Sequence, residues 1–153
     1  MPDYSTSCHR VNRLDIDLEP RLDAEGPVTI DVDASGVKVA DRGEWMRLRW
    51  RRRRGFLKIH LAFDVRTRQI VAMEVTDERT GDGRMLRSLV EQAERRCRVA
   101  KAIADGAYDS RENFALLEEK GIEPAIKVRR NSSRRARGCQ ARKQAVVEQL
   151  RGR

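Results

Sequence analysis

Two aspartates in this sequence stand where a carboxylate can do chemistry. Asp33 lies near the end of an alternating apolar run, V-T-I-D-V-D-A-S-G, and Asp105 closes a second run in A-D-G-A-Y-D. A sheet that sets two or three carboxylates side by side can hold a pair of divalent ions, one activating an attacking hydroxyl and the other stabilising the leaving oxygen of a phosphodiester. Gly106 lets the backbone turn sharply at the carboxyl end of its strand, the usual place for sites in such sheets. If the first and fourth strands are neighbours, Asp33 and Asp105 converge. Spacing alone also admits a plainer reading, because Asp before Gly is a common turn dipeptide and strand-end carboxylates are often only solvated.

Other residues compete for roles. Asp31 shares a strand face with Asp33, two residues away. Asp64 ends a later strand, within reach of a metal, but a hairpin-turn aspartate is the favoured explanation. His60 alternates with Lys58 and faces either the site or DNA; a buried structural histidine is favoured. Trp45, Trp50 and Phe56 can stack on exposed bases, although core packing is the expected use of Phe56 and Trp45. Cys8, Cys97 and Cys139 are odd in number and form no CxxC pair, which argues against a disulfide framework or a cysteine zinc site.

The elements that must position these groups follow from periodicity. Residues 1–27 form a lead-in segment ending in Gly26-Pro27, with room for one short helix. Val28, Ile30 and Val32 alternate with polar residues as in a strand, and Ser35-Gly36 permits a turn before a second apolar piece, Val37 to Ala40. Leu57 to Val65 and Gln69 to Thr76, separated by Arg66-Thr67-Arg68, predict a β-hairpin. Asp82 is the expected N-cap of an amphipathic helix carrying Met85, Leu86, Leu89, Val90, Ala93 and Cys97. Val99 to Ala104 predicts a strand, Ser110 caps a helix that stops at Lys120-Gly121, and Ala125, Ile126 and Val128 predict a last strand. Arg142 to Leu150 suits a short helix. The order predicts an α/β domain with a five-stranded mixed sheet and flanking helices, in which an antiparallel meander feeds parallel strands, with a core over 28–128 and a basic arm and short helix over 129–153.

Charge points to the partner. The chain of 153 residues carries 33 Lys+Arg against 24 Asp+Glu, a formal net charge of +9. Arg47, Arg49, Arg51, Arg52, Arg53, Arg54 and Lys58 form one basic run, and Lys127, Arg129, Arg130, Arg134, Arg135, Arg137, Arg142 and Lys143 form a second without an acidic residue between Pro124 and Val147. Clustered cations gain sequence-independent affinity from phosphates by releasing condensed counterions, so nucleic acid is the leading partner. No apolar run approaches membrane-spanning length and the N-terminus lacks a signal-peptide core, so a soluble, cytoplasmic protein without a membrane partner is expected.

Several ordered motifs carry a family resemblance. V-D-A-S-G-V-K-V (Val32 to Val39), G-E-W (Gly43 to Trp45), F-L-K-I-H-L-A-F-D-V (Phe56 to Val65) and A-D-G-A-Y-D-S-R-E-N-F (Ala104 to Phe114) resemble DDE-type insertion-sequence transposases of the IS-five and IS-four type. E-V-T-D-E-R-T-G-D (Glu74 to Asp82) and G-I-E-P-A-I-K-V-R-R-N (Gly121 to Asn131) resemble the same family's middle and basic segments. The resemblance implies a ribonuclease-H-like domain, with Asp33 and Asp105 as the first two catalytic, metal-holding residues for two Mg2+ or Mn2+ ions. It also implies hydrolysis and strand transfer on double-stranded DNA, at transposon ends and target, by a nucleoid-associated prokaryotic protein acting as a homodimer. The family's third acid is a glutamate in a motif of Tyr, two residues, Arg, three residues, Glu, six residues, Lys, which is absent here. The chain is therefore expected to end before it and to lack activity as it stands. Glu148, the only carboxylate after Glu123, is the alternative third acid, which would make a ribonuclease-H-like nuclease. A nucleic-acid-binding remnant that never cleaves is the other reading.

Overall fold

Alternation builds the centre of the sheet. In the computed structural model, which describes residues 26–38, 56–77, 79–129, 132 and 139–151, strand β1 (Val28–Lys38) buries Val28, Ile30 and Val32 on one face. It pairs antiparallel with β2 (Phe56–Asp64), which pairs antiparallel with β3 (Ile70–Asp77). The hairpin between them is tied by Asp64, whose carboxylate accepts the Arg66 amide (2.9 Å) and the Thr67 hydroxyl (2.8 Å), while Arg68 takes a left-handed φ of 60°. Burial opposes the charge on Asp64, and those hydrogen bonds more than offset it, so its carboxyl lies below the ordinary range. Asp64 is thus a turn residue.

Helix α1 (Leu86–Glu94) crosses back under the sheet because Leu86, Leu89, Val90 and Ala93 recur at helical spacing and are all buried. The crossover returns β4 (Val99–Ala104) parallel to β1, and α2 (Arg111–Glu119) leads to β5 (Glu123–Ile126), parallel to β4. Ser110 accepts the Asn113 amide (3.1 Å) as the N-cap of α2. At the other end Ile122 N–H bonds Leu117 O (2.8 Å) and Gly121 N–H bonds Glu118 O (3.1 Å), with Gly121 at φ 68°. Glycine suits that left-handed position, so the helix stops where Lys120-Gly121 predicts. Helix α3 (Gln140–Arg151) packs on α2 and β5 and buries Val146.

The sheet order is β3-β2-β1-β4-β5, three antiparallel strands followed by two parallel ones. This is the five-stranded mixed sheet with flanking helices that the family resemblance implies. Helices α1 and α2 close the core on the face of Ile30, Val32, Ala62 and Ala102. Pro124, which has no N–H to give a ladder, sits on the edge strand, where one side needs no partner.

Four expectations need correction. Val128 lies beyond the last strand, since β5 ends at Ile126. Ser35-Gly36 makes no turn: β1 runs through it, Gly36 pairing with Lys58 and Lys38 with Phe56, because the ladder to β2 outweighs a local turn preference. Asp82 caps no helix; it opens a 3-10 turn, Asp82–Arg84, and gives its carboxylate to Lys58. Helix α1 ends at Glu94, short of Cys97: the Arg96 N–H closes a tighter, three-residue turn onto the Ala93 carbonyl, and the Cys97 N–H shares that carbonyl one turn back. The lead-in segment to residue 25, the apolar positions 39–40, Trp45 and Trp50 lie outside the described residues, as does the side chain of Phe56.

Candidate active site

The parallel pairing of β1 with β4 decides the site. Val32 stands opposite Ala104, so the next residues, Asp33 and Asp105, emerge side by side at the carboxyl ends of two adjacent strands. Both are exposed. Asp33 accepts the Ala34 amide (2.8 Å), and Asp105 accepts the Ala107 amide (2.8 Å), capping the 3-10 turn Gly106–Tyr108. Each carboxylate is oriented by one backbone N–H and keeps further lone pairs. Asp31, half-buried on the same face as Asp33, is pushed above its ordinary value of 3.8 by burial and then by the Asp33 charge.

Negative charge gathers here from a third direction. Tyr108 is buried, its hydroxyl has no hydrogen-bond partner among the described residues, and its pKa is raised, first by burial and then by Asp82, Asp33, Asp105 and Asp31. A cation would relieve this crowding, and exposed carboxylate oxygens are the donors that hard divalent ions take. The pair fits one such ion completed by water. Among the described residues no group of three or more His, Cys, Asp or Glu is placed to hold a metal, so the pair is not joined by a third carboxylate there. Glu148 is exposed on α3, where it accepts from Gln144 one turn earlier (3.1 Å).

The DNA-binding candidates divide. Lys127 and Arg129 lie against the Asp105 turn: Lys127 N–H donates to Ala104 O (3.0 Å) and Arg129 Nε to Gly106 O (3.3 Å). Lys58 is held by Asp82 (2.9 Å) and the Thr80 carbonyl (3.0 Å). Arg47, Arg49, Arg51, Arg52, Arg53, Arg54, Arg130, Arg134, Arg135 and Arg137 lie outside the described residues. His60 is fully buried, its Nε2 bonded to the Thr76 hydroxyl (2.9 Å) and its Nδ1 3.9 Å from Asp82 Oδ1. Burial lowers its pKa; Asp82 and Glu74 oppose that and Lys58 adds to it.

Three contributors escaped the sequence reading. Asp109, in the same motif as Asp105, is buried and forked by Arg142 Nε (2.7 Å) and Nη2 (3.0 Å). Burial works against its charge, yet Arg142 and the Arg129 amide hold its carboxyl below the ordinary range. Asn113, buried on α2, bonds both the Gly83 and Tyr108 carbonyls (2.9 Å each) and so joins the two 3-10 turns. Gly83 allows that approach, since a Cβ there would stand 2.9 Å from the Ala107 carbonyl. Only an asparagine inside an otherwise apolar helix face could have signalled this. Beside the turns opens a cleft of about 610 Å³ lined by Lys58, Arg84, Arg87, Ser110 and Arg129.

The family model described as "Transposase DDE domain" matches residues 24–152. The chain belongs to the transposase DDE domain family. Solved structures similar to this DDE domain include the catalytic core domain of BIV integrase, at 13% identity and a TM-score of 0.43, covering 83% of this chain and 66% of that one. A chain of the simian T-cell lymphotropic virus intasome, solved with PP2A regulatory subunit B56 gamma, matches at 15% identity and a TM-score of 0.45, over 82% of this chain and 38% of that one. The N-terminal RNase H domain of a Mycobacterium tuberculosis protein, solved as a fusion with maltose binding protein, matches at 10% identity and a TM-score of 0.35, over 80% and 99%. The DDE domain thus spans less than two thirds of the first two of these chains. DDE transposases generally use divalent metals. No helix among the described residues is long and apolar enough to cross a membrane.

Proposed function

We propose that this chain is the strand-processing domain of a DNA transposase, with Asp33 and Asp105 as its first two catalytic residues. The observation that carries the reading is the Val32–Ala104 pairing, which sets the two carboxylates at adjacent strand ends inside a family match of nearly the whole chain. Magnesium or manganese bound there would supply Lewis acidity for phosphodiester hydrolysis and strand transfer. The chain's own residues do the rest. Asp33 and Asp105 present fixed oxygens, and Lys127 and Arg129 offer cations beside them to a phosphate. The substrate is double-stranded DNA, at transposon ends and at the target, met in the prokaryotic nucleoid by two copies of the chain.

With two carboxylates in place the reading for this chain is metal and DNA binding with little strand cleavage, because a full two-ion site needs more ligands to keep both ions in line with the scissile bond. The test incubates the chain with labelled terminal-repeat DNA and manganese and follows the thermal midpoint in parallel. Manganese should raise the midpoint of the wild type, as ligand linkage requires, and not that of Asp33→Asn or Asp105→Asn. An equal response from all three proteins would refute the pairing. Efficient nicking abolished by Asp33→Asn would show a complete site and would bring Glu148 forward as the third acid.

A further inference from the structure

Residues 127–129 run along the turn that carries Asp105; the last bond of the β4–β5 ladder, Lys127 N–H to Ala104 O, holds the first of them, and β5, which ends at Ile126, gives Val128 and Arg129 no strand pairing among the described residues. The contact is close: besides the bonds of Lys127 to Ala104 and Arg129 to Gly106, the Lys127 carbonyl stands 3.4 Å from where a Cβ on Gly106 would be. Two side chains take over the role of a strand there, Gln149 of α3 directly and Asp109, which Arg142 of α3 holds. Gln149 bonds both backbone groups of Val128, its Nε2 donating to the carbonyl (2.9 Å) and its Oε1 accepting the N–H (3.0 Å). Asp109 accepts the Arg129 N–H (3.0 Å) and is itself held by the Arg142 fork, whose Nη2 also donates to the Ser132 hydroxyl (3.1 Å). The Asp109 side chain is 0% exposed and that of Arg142 16%. A forked ion pair out of water has strong directional preference, and a side-chain amide bonded twice to one residue fixes that residue's register.

We propose that α3 is a brace and that Arg142 and Gln149 are positioning residues: through Asp109 and Val128 they hold Arg129, beyond the end of the ladder, in register against the Asp105 turn, so that a DNA phosphate held by Lys127 and Arg129 lies at the carboxylate pair. The inference rests on the reading of Asp33 and Asp105 given above. A brace of this kind acts on register and leaves the overall attraction of a basic protein for DNA in place. Its signature is therefore coupling. A phosphate that lies at a metal-holding pair makes metal and DNA strengthen each other's binding, and losing the register removes that mutual effect.

The test measures the affinity of the whole chain for a short labelled duplex with and without manganese at constant ionic strength, alongside the thermal midpoint. In the wild type manganese should tighten duplex binding about tenfold. In Gln149→Met and Arg142→Gln that ratio should fall to near one while manganese still raises the midpoint; the ratio cancels the charge lost from Arg142. Arg142→Lys, which keeps the charge without the fork, should regain part of the coupling. Variants with the wild-type ratio, or a wild type whose midpoint responds to manganese without any coupling, would overturn the inference. A wild-type midpoint indifferent to manganese would instead overturn the metal-site reading. Amide exchange separates the two: at Val128 and Arg129 it should quicken about tenfold in both variants, with β1 unchanged. Unchanged exchange would refute the brace whatever manganese does.

Discussion

His60 shows how a single titratable side chain can be read from its surroundings. It is buried between the Thr76 hydroxyl and Asp82, with Lys58 and Glu74 nearby, and burial keeps its pKa below the ordinary 6.5. An unfolded histidine takes up its proton at higher pH than the native one. The stability tied to His60 is therefore fully present above 6.5 and is lost as pH falls from there through the lower native value. Urea midpoints measured between about pH 7.5 and pH 5 should fall, and His60→Gln should flatten that slope. A variant with the same slope as the wild type would assign the loss to other groups. The sequence offered His60 either to the site or to the core, and its alternation with Lys58 could not decide; its position opposite Ala34 and Glu74 places it on the helix-covered face.

Between elements, the joint beside the site is the contact of the two 3-10 turns. Asn113 spans it from α2, and Gly83 leaves the room. Asn113→Ala strands two carbonyls and should cost about 2 kcal/mol in chemical denaturation. Gly83→Ala places a methyl against a backbone oxygen that has no flexible end to move, and should cost about 1–3 kcal/mol. Neither substitution touches Asp33 or Asp105, so a manganese response that survives in both would separate stability from the site. Gly81→Ala, where a Cβ meets nothing within 4 Å, is the matching control. The loss of Asp82 as a helix cap belongs to this scale too, since its carboxylate finds a better partner in Lys58, 24 residues away.

For the molecule as a whole the governing quantity is charge. With a net charge of +9, DNA affinity should fall steeply with salt, with a log-log slope of magnitude about 0.9 for each phosphate neutralised. Replacing Lys127 and Arg129 by Gln should reduce that slope by about 2 if both meet phosphates. Binding that stays flat between low and moderate salt would remove the basic segments from the argument. The same measurement with Arg84 and Arg87 replaced asks whether the cleft beside the turns takes part.

Much of this protein is legible without coordinates. Alternating Val28, Ile30 and Val32, the hairpin signal at Arg66-Thr67-Arg68, the helical spacing of Leu86, Leu89, Val90 and Ala93, and the Gly121 stop are local patterns, and local patterns follow from backbone geometry. They led to five strands in the right order along the chain, and the motifs around Asp33 and Asp105 led to the family that residues 24–152 match. What the sequence left open is whatever needs a distant partner. Asp33 meets Asp105 only because β1 and β4 pair in parallel. Asp109 gives no signal of its own until Arg142, 33 residues on, forks it. The Ser35-Gly36 turn signal gives way to a ladder with β2 that only the folded sheet supplies. Periodicity reports which face of an element is buried, whereas pairing, register and ion pairing depend on which surfaces the folded chain brings together, and tertiary structure alone decides that.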